Sequence, residues 1–167
     1  MAQVYIGVGS NIEPERHVRI GLAELRRRFG PLTLSTIYAN PAVGFVGADF
    51  LNLVVGFKTA LPIHAVLAGL REIEAIALLP GNNGLKCTSR TLDLDLLLYD
   101  DLVSNTAGIV VPRPEITRYA FVLKPLAEIA GDRRHPLLGH TFAELWATFD
   151  QTREVLTPVV LSGESAF

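Results

Sequence analysis

The chain is poor in the features that usually announce special chemistry. Its 167 residues include one cysteine, Cys87, so a disulfide framework and a cysteine-based zinc site are both excluded. The four histidines, His17, His64, His135 and His140, show no metal-ligand spacing among themselves. No Ser-His-Asp arrangement follows from their order, and they read as structural or surface residues. Charge of either sign is scarce and nearly balanced, with 15 Lys and Arg against 17 Asp and Glu, a net of −2. That balance offers no electrostatic reason for a nucleic acid or an anionic membrane as partner. No apolar run reaches the ~18 residues that a membrane span needs. The opening "MAQVYIGVGSN" has neither the basic start nor the long apolar region of a secretion signal. The expected location is the cytoplasm.

What is present is an apolar interior. The hydrophobic fraction is 49% and the charged fraction 19%, which suits one globular domain with a well-filled core. Residues 3–10 alternate and are rich in β-formers, predicting a first strand. Val18, Leu22, Leu25 and Phe29 then recur at helical spacing. Pro14 suits the first turn of that helix and Gly30-Pro31 its end. The arginines 26–28 in its last turn complement the helix dipole and read as a solvated helix end. Strands are predicted over 32–39 and 50–59, separated by the glycine- and proline-bearing loop 40–49. A second helix opens at Pro62 and shows one face of Ile63, Val66, Leu67, Leu70, Ile73 and Ala77. Another loop, 78–89, precedes the stretch "SRTLDLDLLLYDD". Beyond Asp101 come a polar turn, helical stretches near 120–129 and 141–149, and a last strand over 154–161. The order βαββαβ with helical additions predicts an α/β sandwich of ferredoxin-like type, with a mainly antiparallel sheet and helices on its faces. One domain over 1–167 is expected, with a disordered tail from 162 to 167.

Within the last leucine-rich strand, Asp93 and Asp95 are two apart and share a face, while Leu92, Leu94 and Leu96 point the other way. Two close carboxylates repel, so either a cation sits between them or water bathes that end of the strand. A hard divalent ion bound through carboxylates and substrate phosphates fits, with Arg90 placed to take a phosphate oxygen. An edge strand with an acidic, wetted face fits as well. "GVGSN" (7–11) is neither a dinucleotide fingerprint nor a phosphate-binding P-loop. Asn52, among apolar neighbours in "FLNLVVGF", must find partners, because an unpaired buried amide costs about 1–3 kcal/mol. Loop backbone and the edge of a heterocycle are both candidates. Glu74 sits at the margin of its helix's apolar stripe, either as a surface acid or as a ligand contact.

In order, "YIGVGSNI", "FLNLVV", "REIEA", "SRTLDLDLLLYDD" and "VPRPEITRYAFVLKPLAEIA" resemble the 6-hydroxymethyl-7,8-dihydropterin pyrophosphokinase family of folate biosynthesis, over about residues 3–149. The resemblance implies a small-molecule enzyme, expected as a monomer. It would transfer pyrophosphate from ATP to the pterin's hydroxymethyl oxygen and release AMP. It implies two Mg2+ ions on Asp93 and Asp95, with Arg90 and Lys86 joining them in catalysis. Asn40, the stretch Ala42, Val43 and Gly44, Asn52 and Phe121 would hold the pterin. Glu74, Arg90, Arg113, Arg118 and Tyr119 would lie toward ATP. Three departures fall on the ATP side. Lys86 is the one cation in loop 78–89, Arg113 stands where the family has histidine, and Tyr119 stands where it has arginine, with Arg118 one place early. The alternative expectation is a pterin- or nucleotide-binding homologue, non-catalytic or shifted in substrate, with a weakened ATP clamp.

Overall fold

The computed structural model of the chain describes residues 1–41, 49–78, 91–106 and 108–161. The first strand, β1 (Ala2–Ser10), leads into helix α1 (Pro14–Phe29). Pro14 occupies the first helical turn, where its missing N–H costs nothing. Gly30 ends the helix at φ 85°, its N–H donating to the Arg26 carbonyl at 2.9 Å. Of the predicted arginine trio, Arg27 pairs with Glu24 and Arg28 with Glu72.

Residues 32–39, expected as one strand, form two. These are β2 (Thr33–Leu34) and β3 (Ile37–Asn40). The break has a physical cause. Ser35 Oγ accepts the Val54 N–H at 2.9 Å, and the Thr36 N–H is drawn to the Glu128 carboxylate at 3.0 Å. Then follow β4 (Phe50–Thr59), α2 (Ile63–Ala77), β5 (Asp93–Tyr99), and a small hairpin of β6 (Ser104–Thr106) and β7 (Ile109–Val111). A 3-10 turn (Pro114–Thr117), α3 (Ala120–Ala130), α4 (Phe142–Thr148) and β8 (Thr157–Val159) complete the described chain. The last strand is therefore shorter than expected, and Glu154 lies outside it.

The main sheet runs β5-β1-β4-β3-β8, with β2 also on β4. All its pairings are antiparallel. With β2 and β3 counted as one broken strand, the βαββαβ order stands as predicted. Alternation along each strand gives the sheet two apolar faces. Val4, Ile6, Val8, Leu94 and Leu96 pack under α1 and α2 with Val18, Leu22, Leu25, Leu70 and Ile73. Tyr5, Val54, Leu97 and Leu98 pack under α3 and α4 with Leu123, Leu126 and Phe142. Each fully buried Leu or Ile contributes roughly 1.5–3 kcal/mol, so the sheet is held from both sides. A bulge at Leu97, where Tyr5 faces Leu98 but Ile6 faces Leu96, re-aims β5 just beyond its carboxylates.

Candidate active site

The pairing register assembles the site. Gly9 lies between Asn52 on one side and Asp93 on the other. One step along, Gly7 lies between Val54 and Asp95. The amide and the carboxylates thus stand on one face, two strands or about 9–10 Å apart, with two glycines as the floor between them. Tyr38 extends the first row on the far side of Asn52. The result is a cleft of about 290 Å³ whose lining includes Asn40, Asn52, Asp93, Asp95, Arg113 and Phe121. Gly7, Gly9, Val54, Glu115 and Tyr119 line it too. Its volume is near the lower end of the roughly 300–1,000 Å³ typical of ligand sites.

Each wall has a reason to hold still. On the amide side, Asn52 Nδ2 donates to Asn40 Oδ1 at 2.6 Å, and Asn40 Nδ2 donates to the Pro41 carbonyl at 3.2 Å. Both amides are buried. Neither of the two expectations for Asn52 foresaw that its partner is a second amide. The aromatic wall comes from the start of α3, where the Tyr119 and Phe121 rings stack with centroids 5.0 Å apart.

On the acidic side, β5 is the sheet's outer strand, and its free edge is sealed. The Leu94 N–H donates to Glu74 Oε2 at 2.8 Å, and Arg71 Nη2 donates to the Leu94 carbonyl at 3.2 Å. Arg71 and Glu74 are themselves bonded at 2.6 Å. Burial pushes the Glu74 carboxyl up, against the pull of the Leu94 N–H and Arg71. Glu74, half-buried, has a structural role that its spacing did not suggest. It grips the backbone between the two aspartates and does not line the cleft. Further along, the Arg113 N–H donates to the Leu97 carbonyl at 3.0 Å. That bond places Arg113 beside β5, with Nη2 3.3 Å from Asp95 Oδ1 and Nε 3.3 Å from Glu115 Oε2.

Burial first, and the Asp93 charge second, push the Asp95 carboxyl up to about 7, against the pull of Arg113. A carboxylate pair held in this way calls for a cation. Among the described residues no cluster of three or more metal-ligating His, Cys, Asp or Glu exists. Two same-face carboxylates of purely oxygen donors do suit Mg2+, which keeps several waters and takes the rest of its shell from phosphates. The residues present fit that ion.

Of the expected site residues, the fold brings Asn40, Asn52, Asp93, Asp95, Arg113, Tyr119 and Phe121 together around the cleft. Arg118 is exposed and does not line it. Ala42, Val43, Gly44, Lys86 and Arg90 lie outside the described residues. Sequence reasoning weighed Gly9 only as part of a strand-end turn and gave Glu115 and Arg71 no role. The "GVGSN" stretch carried a signal for the first, but the other two appear only once long-range pairing is known.

Sheet, amide, aromatic wall and acidic strand frame a cleft of small-molecule size, and likeness to known proteins puts the chain among transferases. The family model described as "7,8-dihydro-6-hydroxymethylpterin-pyrophosphokinase (HPPK)" matches residues 5–131. The chain belongs to the HPPK family. It is similar to the 2-amino-4-hydroxy-6-hydroxymethyldihydropteridine pyrophosphokinase of Aquifex aeolicus, 32% identical over 139 residues, covering 82% of this chain and 86% of that one. It is also similar to that of Bacillus subtilis, 36% identical over 129 residues, covering 75% and 76%. A solved Plasmodium falciparum HPPK-DHPS chain aligns with a TM-score of 0.68 at 12% identity, over 88% of this chain but 43% of that longer one. That likeness speaks for the fold alone.

Proposed function

We infer that this protein transfers the pyrophosphoryl group of ATP to 6-hydroxymethyl-7,8-dihydropterin, as its named relatives do. The hydroxymethyl oxygen attacks the β-phosphorus. The bond from that phosphorus to the oxygen of the α-phosphate breaks, AMP leaves, and the hydroxyl proton passes to solvent. The observation that carries this reading is the cross-sheet row in which Asn52 and the Asp93–Asp95 pair face one glycine floor.

Asn52 presents an amide, backed by Asn40, to the edge of the pterin ring, and Phe121 offers it an aromatic face; Tyr119, expected toward ATP, stacks on Phe121 and in this reading joins the pterin side. Asp93 and Asp95 would hold Mg2+, expected as two ions. When bound, it supplies neutralisation of the charge that develops on the phosphates. Arg113, already beside Asp95, has the planar fork to take a phosphate oxygen. Glu74 and Arg71 keep the backbone between the aspartates fixed, so the reactants are positioned rather than activated covalently. Arg90 and Lys86, and the pterin contacts at Ala42, Val43 and Gly44, belong to the same reading. A monomer as the working unit belongs to the same reading. Among the described residues, no helix is long and apolar enough to cross a membrane.

The test is AMP release from ATP with hydroxymethyl-dihydropterin as acceptor, repeated without Mg2+. AMP formation that needs both is the expected result. Absence of turnover at high enzyme and nucleotide concentration, with pterin binding retained, would favour a binding protein instead.

A further inference from the structure

Helix α3 carries the aromatic wall, yet the residue at its N-cap, Tyr119, makes no side-chain cap bond. The first N–H groups of a helix have no partners within it. Here two of them are met from far along the chain. The Ala120 N–H donates to Glu154 Oε2 at 2.7 Å, and the Phe121 N–H donates to Glu154 Oε1 at 3.3 Å. A carboxylate at this end of a helix also meets the positive pole of its dipole. Bonds to an ionised acceptor are stronger than neutral ones.

We propose that Glu154 is a positioning residue for the cleft's aromatic wall. The amide it grips at Phe121 belongs to the ring that lines the cleft, and Tyr119, stacked on that ring, is the next residue but one. The segment that delivers Glu154 is itself anchored. Immediately after it, β8 pairs with β3 through Thr157–Ala39, Pro158–Tyr38 and Val159–Ile37. Strand β3 ends at Asn40, whose side chain holds the amide of Asn52. One short stretch of chain therefore braces both walls of the cleft, the aromatic wall directly and the amide wall through β3. The family match covers residues 5–131, so the segment that carries Glu154 and β8 lies beyond it. The sequence offered only a strand over 154–161 and no reason to single out its first residue.

The inference rests on the pterin reading of the cleft, because it assigns Glu154 to the pterin side and not to the nucleotide side. Calorimetric titration of hydroxymethyl-dihydropterin, and separately of Mg2+ with a non-hydrolysable ATP analogue, tests it. Glu154→Ala is expected to weaken pterin binding about tenfold, on the scale of a lost helix cap, and to leave nucleotide binding unchanged. Glu154→Gln, which keeps an acceptor but not the charge, is expected to fall between. Thr141→Ala is the control for a merely structural role. It removes the capping box of α4, and is expected to lower thermal stability comparably without weakening pterin binding.

Unchanged pterin affinity in Glu154→Ala, an equal loss for both ligands, or an equal loss in Thr141→Ala would overturn the proposal. Should Glu154→Ala fail to fold, Glu154→Gln decides between the same outcomes. If the wild-type protein binds no pterin, the functional reading fails, and the binding role of Glu154 fails with it. The tether itself is still read by amide exchange at Ala120 and Phe121, which Glu154→Gln should speed; protection equal to wild type would sink that as well.

Discussion

Gly9 owes its place to a side chain on the neighbouring strand. A Cβ there would lie 2.7 Å from Asn52 Oδ1 and 3.8 Å from its Cγ. The atom in the way is the end of a side chain, so the amide yields and the backbone does not. Moving it breaks the 2.6 Å bond to Asn40, leaving two buried amides poorly paired. Gly9→Ala should therefore weaken pterin binding about tenfold and lower stability by roughly 1–2 kcal/mol, while Mg·ATP affinity holds. Titration calorimetry and a thermal melt check both halves. Pterin affinity equal to wild type would mean that Asn52 does not read the ring. Gly7 is the contrasting case, because the atoms nearest a Cβ there belong to the Leu97 side chain, at 3.6–3.8 Å. That is ordinary contact, so Gly7→Ala should melt at the wild-type temperature.

At the level of elements, local signals and long-range pairing part company. Helices α1 and α2 were legible because their starts, stops and apolar stripes are written in neighbouring residues. The division of 32–39 was not, since it is imposed by Val54 and Glu128, far away in the chain. The same holds for Glu74, whose partner at Leu94 belongs to another element. His135 shows the effect in a turn. Spacing marked it only as structural or surface, but its ring Nδ1 accepts the N–H groups of Leu137 and Leu138, each at 3.2 Å. Both bonds need that nitrogen unprotonated, and burial pushes the His135 pKa below its ordinary 6.5. The unfolded chain then takes up the proton first. The stabilising contribution is complete above pH 6.5 and is lost as pH falls through the lowered native pKa. His135→Ala should be less stable than wild type at neutral pH by about 1–3 kcal/mol, and the gap should narrow on acidification to about pH 5. Denaturant titrations of both proteins across that range are the check; a gap that stays constant would refute the role.

For the whole molecule, the residues of the cleft could be nominated from the sequence, but their arrangement could not. Asp93 and Asp95 share a face by simple alternation. That they look across Gly9 at Asn52 depends on two strand registers joining residues more than 40 positions apart. Charge is the property that joins cleft and molecule. The protein carries a net of −2, and the described cleft sets Asp93, Asp95 and Glu115 against the guanidinium of Arg113. Both fields oppose a bare triphosphate. ATP should therefore bind only with its divalent ion, and that ion must displace the proton from Asp95. With this carboxyl pushed up to about 7, Mg·ATP affinity should climb as pH rises through that value, by at most about tenfold per unit. The metal-free protein should move the opposite way. A raised native pKa gives Asp95 a stabilising contribution that is complete below its ordinary 3.8 and lost as pH rises through about 7. Asp95→Asn should consequently melt higher than wild type in chelator at about pH 8, bind Mg·ATP poorly, and lose the pH dependence of what binding remains. Calorimetry with and without Mg2+, from about pH 6 to about pH 8, tests the argument. Tight ATP binding in chelator, or equal Mg·ATP affinity in wild type and Asp95→Asn, would remove the metal from these two carboxylates.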